Sequence, residues 1–188
     1  VGSEMCIRDS TRTYQVIAMV HDPNKVNHLE VLKDKLNLEI VVGDFAQPDT
    51  FEEAAKKAHV VLHIGGMVGL KNGQALYDVN TKGTENLINV LKASAVLERL
   101  VFISSIAAVD RPWETLKASL AQGALTEDSP REPNTDYGKS KQQAEELIRT
   151  SGLPYTTLCP PYIYGPYPRQ GSSMDKLVYD VISHKPYT

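Results

Sequence analysis

Leu38-Glu-Ile-Val-Val-Gly-Asp-Phe-Ala-Gln-Pro-Asp-Thr-Phe-Glu-Glu-Ala-Ala-Lys-Lys-Ala-His-Val-Val-Leu-His-Ile64 carries the pattern that decides the fold. One apolar run, Leu38–Val42, stops at Gly43-Asp44, and a second, His59–Ile64, stops at Gly65-Gly66. Both are strand-sized and mostly apolar rather than alternating, which marks strands buried in a parallel sheet. A helix is expected between them, capped by Asp49 or Thr50. Glu52 and Glu53 fall in its first turn and Lys56 and Lys57 near its end, each sign suiting the helix dipole.

The same alternation continues on both sides. Tyr14–Val20 is an apolar run closed by His21-Asp22-Pro23, and Val26–Leu36 places Val26, Leu29, Leu32 and Leu36 at helical spacing. Beyond Gly66, a helix is expected from about Leu76 to Ser94, a strand over Leu100–Ser104 and a long irregular segment from Ser105 to Asp136. A helix over Tyr137–Thr150 and a strand over Tyr155–Leu158 follow. Strands alternating with helices predict an α/β fold, a doubly wound parallel sheet covered on both faces. Ligands of such sheets bind at the carboxyl ends of the strands, which places Asp44, Gly65, Ser105 and Pro160 along one edge.

Composition narrows the function classes. The 188 residues are 41% hydrophobic and 23% charged, an ordinary globular balance. A net charge of -3 offers no basic footprint for nucleic acid. The longest apolar runs fall far short of the ~20 residues of a membrane helix. Cys6 and Cys159 are the two cysteines, too few for a disulfide framework, and no spacing suggests a metal site. A soluble, cytoplasmic globular protein of a reducing compartment is the expectation.

Val1-Gly-Ser-Glu-Met-Cys-Ile-Arg-Asp-Ser10 does not read like the rest. It resembles the translation of a transposon-based sequencing adapter, so residues 1–10, Cys6 included, are set apart from fold reasoning. At the other end, Lys176–Ser183 reads as an amphipathic helix running into Lys185-Pro186. A fragment cut at both ends is therefore expected.

Chemistry concentrates in Tyr137-Gly-Lys-Ser-Lys141. Tyr and Lys at i and i+4 share one helix face, so an ammonium can stand near a phenol. A free tyrosine has a pKa near 10 and serves poorly as an acid or base at neutral pH. A nearby cation favours the phenolate and brings it toward the working range. Taken alone, the spacing is equally that of a surface Tyr–Lys pair. Ser104-Ser105 closes the preceding strand at the ligand edge, where a hydroxyl can orient a carbonyl.

In order along the chain stand Ser104-Ser105, the irregular excursion, Tyr137-x-x-x-Lys141 and Cys159-Pro160-Pro161-Tyr162-Ile163-Tyr164-Gly165-Pro166. This order resembles the extended short-chain dehydrogenase/reductases, the NAD(P)-dependent epimerase/dehydratases and 3-beta-hydroxysteroid-dehydrogenase-like reductases. The resemblance implies a Rossmann-like domain over 11–166 and the start of a substrate-binding region over 167–188. It implies Ser105, Tyr137 and Lys141 as catalytic residues, with Lys141 also contacting the nicotinamide ribose. Asp44 and Phe45 would meet the adenine, Ile64, Gly65 and Gly66 would pass close to the cofactor, and Asn80 of Val79-Asn-Thr-Lys-Gly-Thr84 would stand beside the active site. Pro160 and Pro161 would lie against the nicotinamide.

Structural alternatives stand beside several of these. Asp44 also suits a turn, Gly83 close helix packing, His63 a core histidine, and Trp113 packing under the irregular segment. Two departures from the family pattern are visible. Cys159 occupies the position before Pro160 where relatives usually carry arginine, losing a buried charge. No Gly-x-x-Gly-x-x-Gly turn precedes Tyr14, so the first strand and the pyrophosphate turn are expected to be missing. His21 stands where NADP-preferring relatives often carry arginine, which slightly favours NADP among NAD(P) cofactors. The implied activity is hydride transfer between nicotinamide and a carbinol or carbonyl carbon, on a sugar nucleotide, ketone or alcohol, with a homodimer as the possible assembly. A non-catalytic NAD(P)-binding sensor or scaffold is the alternative.

Overall fold

The computed structural model describes residues 14–33, 37–69, 73–121, 126–127, 129–161, 163 and 183. Two parallel sheets organise them. β1 (Gln15–Val20) pairs with β2 (Asn37–Val42), Gln15 opposite Asn37 and Val20 opposite Val42. β4 (Arg99–Ile103) is the centre of the other sheet, flanked by β3 (Val60–His63) and β5 (Tyr155–Leu158). Every pairing is parallel, as apolar strands joined by helical crossovers require. Residues 1–13 and the expected C-terminal helix, apart from Ser183, lie outside the described residues.

The crossovers are α1 (Asn27–Lys33) between β1 and β2, and α2 (Glu52–Lys57) between β2 and β3. β3 leads to α3 (Gly73–Leu76), a π-helical stretch Tyr77–Lys82 and α4 (Gly83–Lys92). α5 (Trp113–Ala121) and α6 (Asp136–Arg149) lie between β4 and β5.

The core lies where α4 and α6 cover β4. Phe51, Leu87, Ile88, Val90, Leu91, Leu100, Phe102, Ala144 and Ile148 form one buried cluster. On α4, Leu87, Ile88 and Leu91 recur at helical spacing and turn one apolar face inward. β4 points Leu100 and Phe102 into the cluster. Alternation sends the other side chains of this sheet the opposite way, where Val60 and Leu62 of β3 and Leu158 of β5 are exposed. Among the described residues the burial of the β3–β5 sheet is therefore uneven between its two faces.

Three local expectations are corrected. Neither Asp49 nor Thr50 caps α2: a 3-10 turn over Pro48–Thr50 intervenes, and Phe51 takes the cap position without a side-chain bond. The Thr50 hydroxyl instead donates to Gln47 O at 2.6 Å and accepts from the Asp44 N–H at 2.9 Å. The segment after Ser105 is not irregular throughout, since it holds a 3-10 turn (Ile106–Ala108) and the nine-residue α5. Trp113 opens α5 and is 66% exposed rather than packed beneath it. Indole burial needs a facing layer, and α5 buries none of its own residues.

Candidate active site

β4 and β5 end side by side, and their ends build the site. The Ser104 N–H donates to Leu158 O at 2.7 Å, and the Ile106 N–H donates to Pro160 O at 3.0 Å. Ser105 is extended (φ -157, ψ 151), and its Oγ accepts from the Ala107 N–H at 3.2 Å, opening the 3-10 turn. Thr135 caps α6, accepting from the Gly138 N–H at 3.0 Å, so the helix starts with Tyr137 in its first turn. Gly138 lets this turn press against the strand end. A Cβ there would stand 2.4 Å from Ala107 O and 2.9 Å from Pro133 Cβ, closer than side chains approach.

These elements enclose a cleft of about 270 Å³ at the carboxyl ends of β3, β4 and β5. Ser105, Tyr137 and Lys141 line it together with Ile64, Gly66, Pro160 and Pro161. Seven residues singled out from the sequence thus converge from four separate stretches of chain. Gly65, Phe45, Asp44, His21 and Asn80 do not line the cleft.

Lys141 is 4% exposed. Its ammonium donates to Ile103 O at 2.8 Å and sits 4.1 Å above the centre of the Phe102 ring, a cation–π contact. Burial pulls its pKa down to about 8, opposed by the negative charge of Glu145. With a pKa near 8 the buried ammonium still carries most of its charge at neutral pH, so it remains a cation at the wall of the cleft.

Asn80 sits behind the cleft and ties two of its walls. Its Oδ1 accepts from the Met67 N–H at 2.7 Å, while Nδ2 donates to Met67 O at 2.9 Å and Ser140 Oγ at 3.0 Å. Ser140 Oγ donates in turn to Tyr137 O at 2.8 Å. Asn80 lies within the π-helical stretch, and such stretches often mark functional sites. No periodicity in the sequence signals the extra residue per turn.

His63 is the core histidine that the sequence offered as its alternative role. It is 3% exposed, packed between Phe45 and Phe102, with Nε2 2.8 Å from Thr84 Oγ1. That hydroxyl donates to Asn80 O at 2.6 Å, so Nε2 must carry the hydrogen. Burial first, and the charge of Lys141 second, push the imidazole pKa down to about 3.

The far group is separate. His21 and Asp44 meet across the ends of β1 and β2, Nε2 3.6 Å from Oδ2. Asp44 also makes a turn, its Oδ1 accepting from the Ala46 N–H at 2.9 Å. Phe45 turns inward, its ring edge-on to Phe51 and His63, so its side chain serves the core. Gly65 and Gly83 both pack on it: an added Cβ would lie 2.5 Å from the ring at Gly65 and 2.8 Å from Phe45 Cβ at Gly83. Tyr162 and Tyr164, beside the cleft in sequence, lie outside the described residues.

Sequence reading missed Glu145 and Arg131. Glu145 accepts from Ser104 Oγ, from Arg131 Nη1 at 2.5 Å and from the Cys159 thiol at 3.4 Å. Only the i+4 step from Lys141 hinted at the first, and Arg131 lies in a turn-rich stretch without pattern.

A parallel α/β fold with its cleft at the strand carboxyl ends is the architecture of a dinucleotide-binding domain. The sequence profile described as NAD(P)H-binding matches residues 1–176. The chain belongs to that NAD(P)H-binding family, and its homologues and structural neighbours lie in the extended short-chain dehydrogenase/reductase group. A cinnamoyl-CoA reductase of Medicago truncatula is 32% identical, covering 82% of this chain and 52% of that protein. A decarboxylating sterol-4-alpha-carboxylate 3-dehydrogenase of Saccharomyces cerevisiae is 32% identical over 68% of this chain and 37% of its own. The UDP-glucuronic acid 4-epimerase of Bacillus cereus, solved in complex with NAD, shares the fold at a TM-score of 0.78 and 22% identity, covering 98% of this chain and 61% of that one. The chain spans about half or less of the length of these two curated relatives.

Proposed function

We propose that this chain carries the catalytic centre of an NAD(P)-dependent oxidoreductase or epimerase/dehydratase. The observation that carries the reading is the convergence of Ser105, Tyr137 and Lys141 on one cleft beside Pro160-Pro161. The cleft fits the nicotinamide end of such a cofactor. Gly66 presents bare backbone where a Cβ would come within 3.0 Å of Asn80 Oδ1 and 3.9 Å of Lys141 Nζ. The nicotinamide, when bound, supplies or accepts the hydride.

The chain's own residues then handle oxygen and proton. Ser105 Oγ orients the substrate oxygen by hydrogen bonding. The Tyr137 hydroxyl gives a proton to that oxygen in reduction and takes it in oxidation. Lys141, on the same helix face one turn on, favours the phenolate form. A pure binder needs no phenol beside a buried lysine, so the same set argues against a sensor or scaffold. Substrates are small molecules with a carbinol or carbonyl carbon: ketones, alcohols or sugar nucleotides.

At the cofactor's other end, Asp44 is proposed to meet the adenine. His21 is proposed to face the ribose, slightly favouring NADP over NAD. A homodimer of the whole enzyme remains part of the reading, resting on resemblance alone.

Turnover of NADPH or NADH by the full-length parent enzyme, with a panel of ketones, aldehydes and sugar nucleotides, tests the reading. Tyr137→Phe is expected to lower kcat by about 10²- to 10⁴-fold while leaving cofactor affinity unchanged. Turnover equal to the unmodified protein removes Tyr137 from the chemistry. His21→Ala is expected to weaken NADPH binding and to leave NADH binding unchanged; equal weakening of both would end the NADP preference.

A further inference from the structure

One carboxylate joins the ends of β4 and β5 to the segment that runs into α6. Glu145 lies on α6, one turn beyond Lys141, with its side chain 12% exposed. Its Oε1 accepts from Ser104 Oγ at the end of β4 and from Cys159 Sγ at the end of β5. Its Oε2 takes the Arg131 guanidinium, which belongs to the segment running into Tyr137. Each partner is a near neighbour of the cleft: Ser104 lines it and precedes Ser105, and Cys159 precedes Pro160.

Charge makes the arrangement consequential. A largely buried carboxylate without its cation is costly, and Arg131 is the cation that its ion pair supplies. Arg131 also donates from Nη2 to Glu127 O at 3.4 Å, and its own carbonyl accepts from Gln142 Nε2 at 3.4 Å. Arg131 thus adds a side-chain and a backbone tie between the segment before Tyr137 and α6. The two strand ends are fastened by the carboxylate itself.

We propose that Glu145 and Arg131 are positioning residues, a clamp that holds the ends of β4 and β5 and the segment before Tyr137 in register around the cleft. The inference rests on the cleft being the active site, but the clamp's effects are read without turnover. Cys159 reports on it from inside. Burial and Glu145 raise its thiol pKa, while Arg131 and the Ser104 hydroxyl lower it. Lys141 is the other charge facing this thiol.

The first test is the pH midpoint of Cys159 alkylation by iodoacetamide, followed on the Cys159 peptide so that Cys6 does not interfere. Glu145→Gln is expected to move the midpoint down and Arg131→Met to move it up. Simple loosening would expose the thiol and move both midpoints down. Shifts of the same sign, or no shift, overturn the clamp.

The second test is amide hydrogen exchange at Ser104 and Ile106, the donors that join β4 to Leu158 O and Pro160 O. Arg131→Met is expected to lower their protection about tenfold, with α4 amides unchanged. Adding Cys159→Arg, which returns a guanidinium to the carboxylate from the thiol's position, restores it. Unchanged protection, uniform loss across α4, or failure of Cys159→Arg to restore overturns the clamp. A protein that meets both tests yet keeps full turnover as Tyr137→Phe keeps the clamp and loses the active-site reading.

Discussion

At the residue scale, the site is shaped by how burial treats charge. His63 and Lys141 are both bases that burial discourages from holding a proton, and both therefore tie stability to pH. For His63 the folded pKa is about 3, below the ordinary 6.5, so between those values the unfolded chain binds more protons. Stability from this residue is complete above pH 6.5 and declines as pH falls toward 3, by on the order of 4 kcal/mol. Urea midpoints measured across pH 3–7 are expected to fall less steeply for His63→Phe. Lys141 has a folded pKa of about 8 against 10.5, so stability rises with pH through that interval. Lys141→Met is expected to remove that rise, by about 3 kcal/mol, measured as the same midpoints over pH 7.5–10.5. His63, Tyr137 and Lys141 were all legible in the sequence. Arg131 and Glu145 were not, because an ion pair closed across 14 positions has no spacing rule.

At the element scale, α6 decides the geometry. Its first turn carries Tyr137, its second Lys141 and its third Glu145, while Gly138 sets how closely that first turn approaches the strand end. Gly138→Ala puts a methyl into Ala107 O, so α6 and the 3-10 turn must separate. The expected cost is about 1–3 kcal/mol in chemical denaturation, with a loss of turnover larger than that stability change would cause. Ala would raise intrinsic helix propensity at this site, so a stabilised variant would show that the contact does not matter. β2 and β5 lay within a residue of their expected bounds, because strand patterns with Gly and Pro stops are local. The π-helical stretch and α5 were not anticipated. The first depends on Asn80 reaching Met67 and Ser140, and the second exposes an apolar Trp113 that reads as a core residue.

At the scale of the whole molecule, no ladder bonds join the two sheets among the described residues. Phe45 links them: it follows β2 and packs on His63 of β3 and on Phe51 of the core cluster. Phe45→Ala is expected to cost about 3–5 kcal/mol, and amide exchange should rise in β1 and β2 before it rises in β3–β5. Equal rises in both sheets would show that the link lies elsewhere. Among the described residues no helix is long and apolar enough to cross a membrane. The amino-acid sequence alone determined the order of the strands and of their crossover helices, α5 apart, and the parallel class of the sheet, and it offered Ser105, Tyr137 and Lys141 as candidates. Periodicity, breakers and i,i+4 spacing are properties of neighbours along the chain. Only the tertiary structure decided that these three share a cleft, that Phe45 faces the core, and that Glu145 and Arg131 stand behind the strand ends. Those outcomes depend on distances between residues far apart in sequence, which packing and charge burial set after the elements have formed.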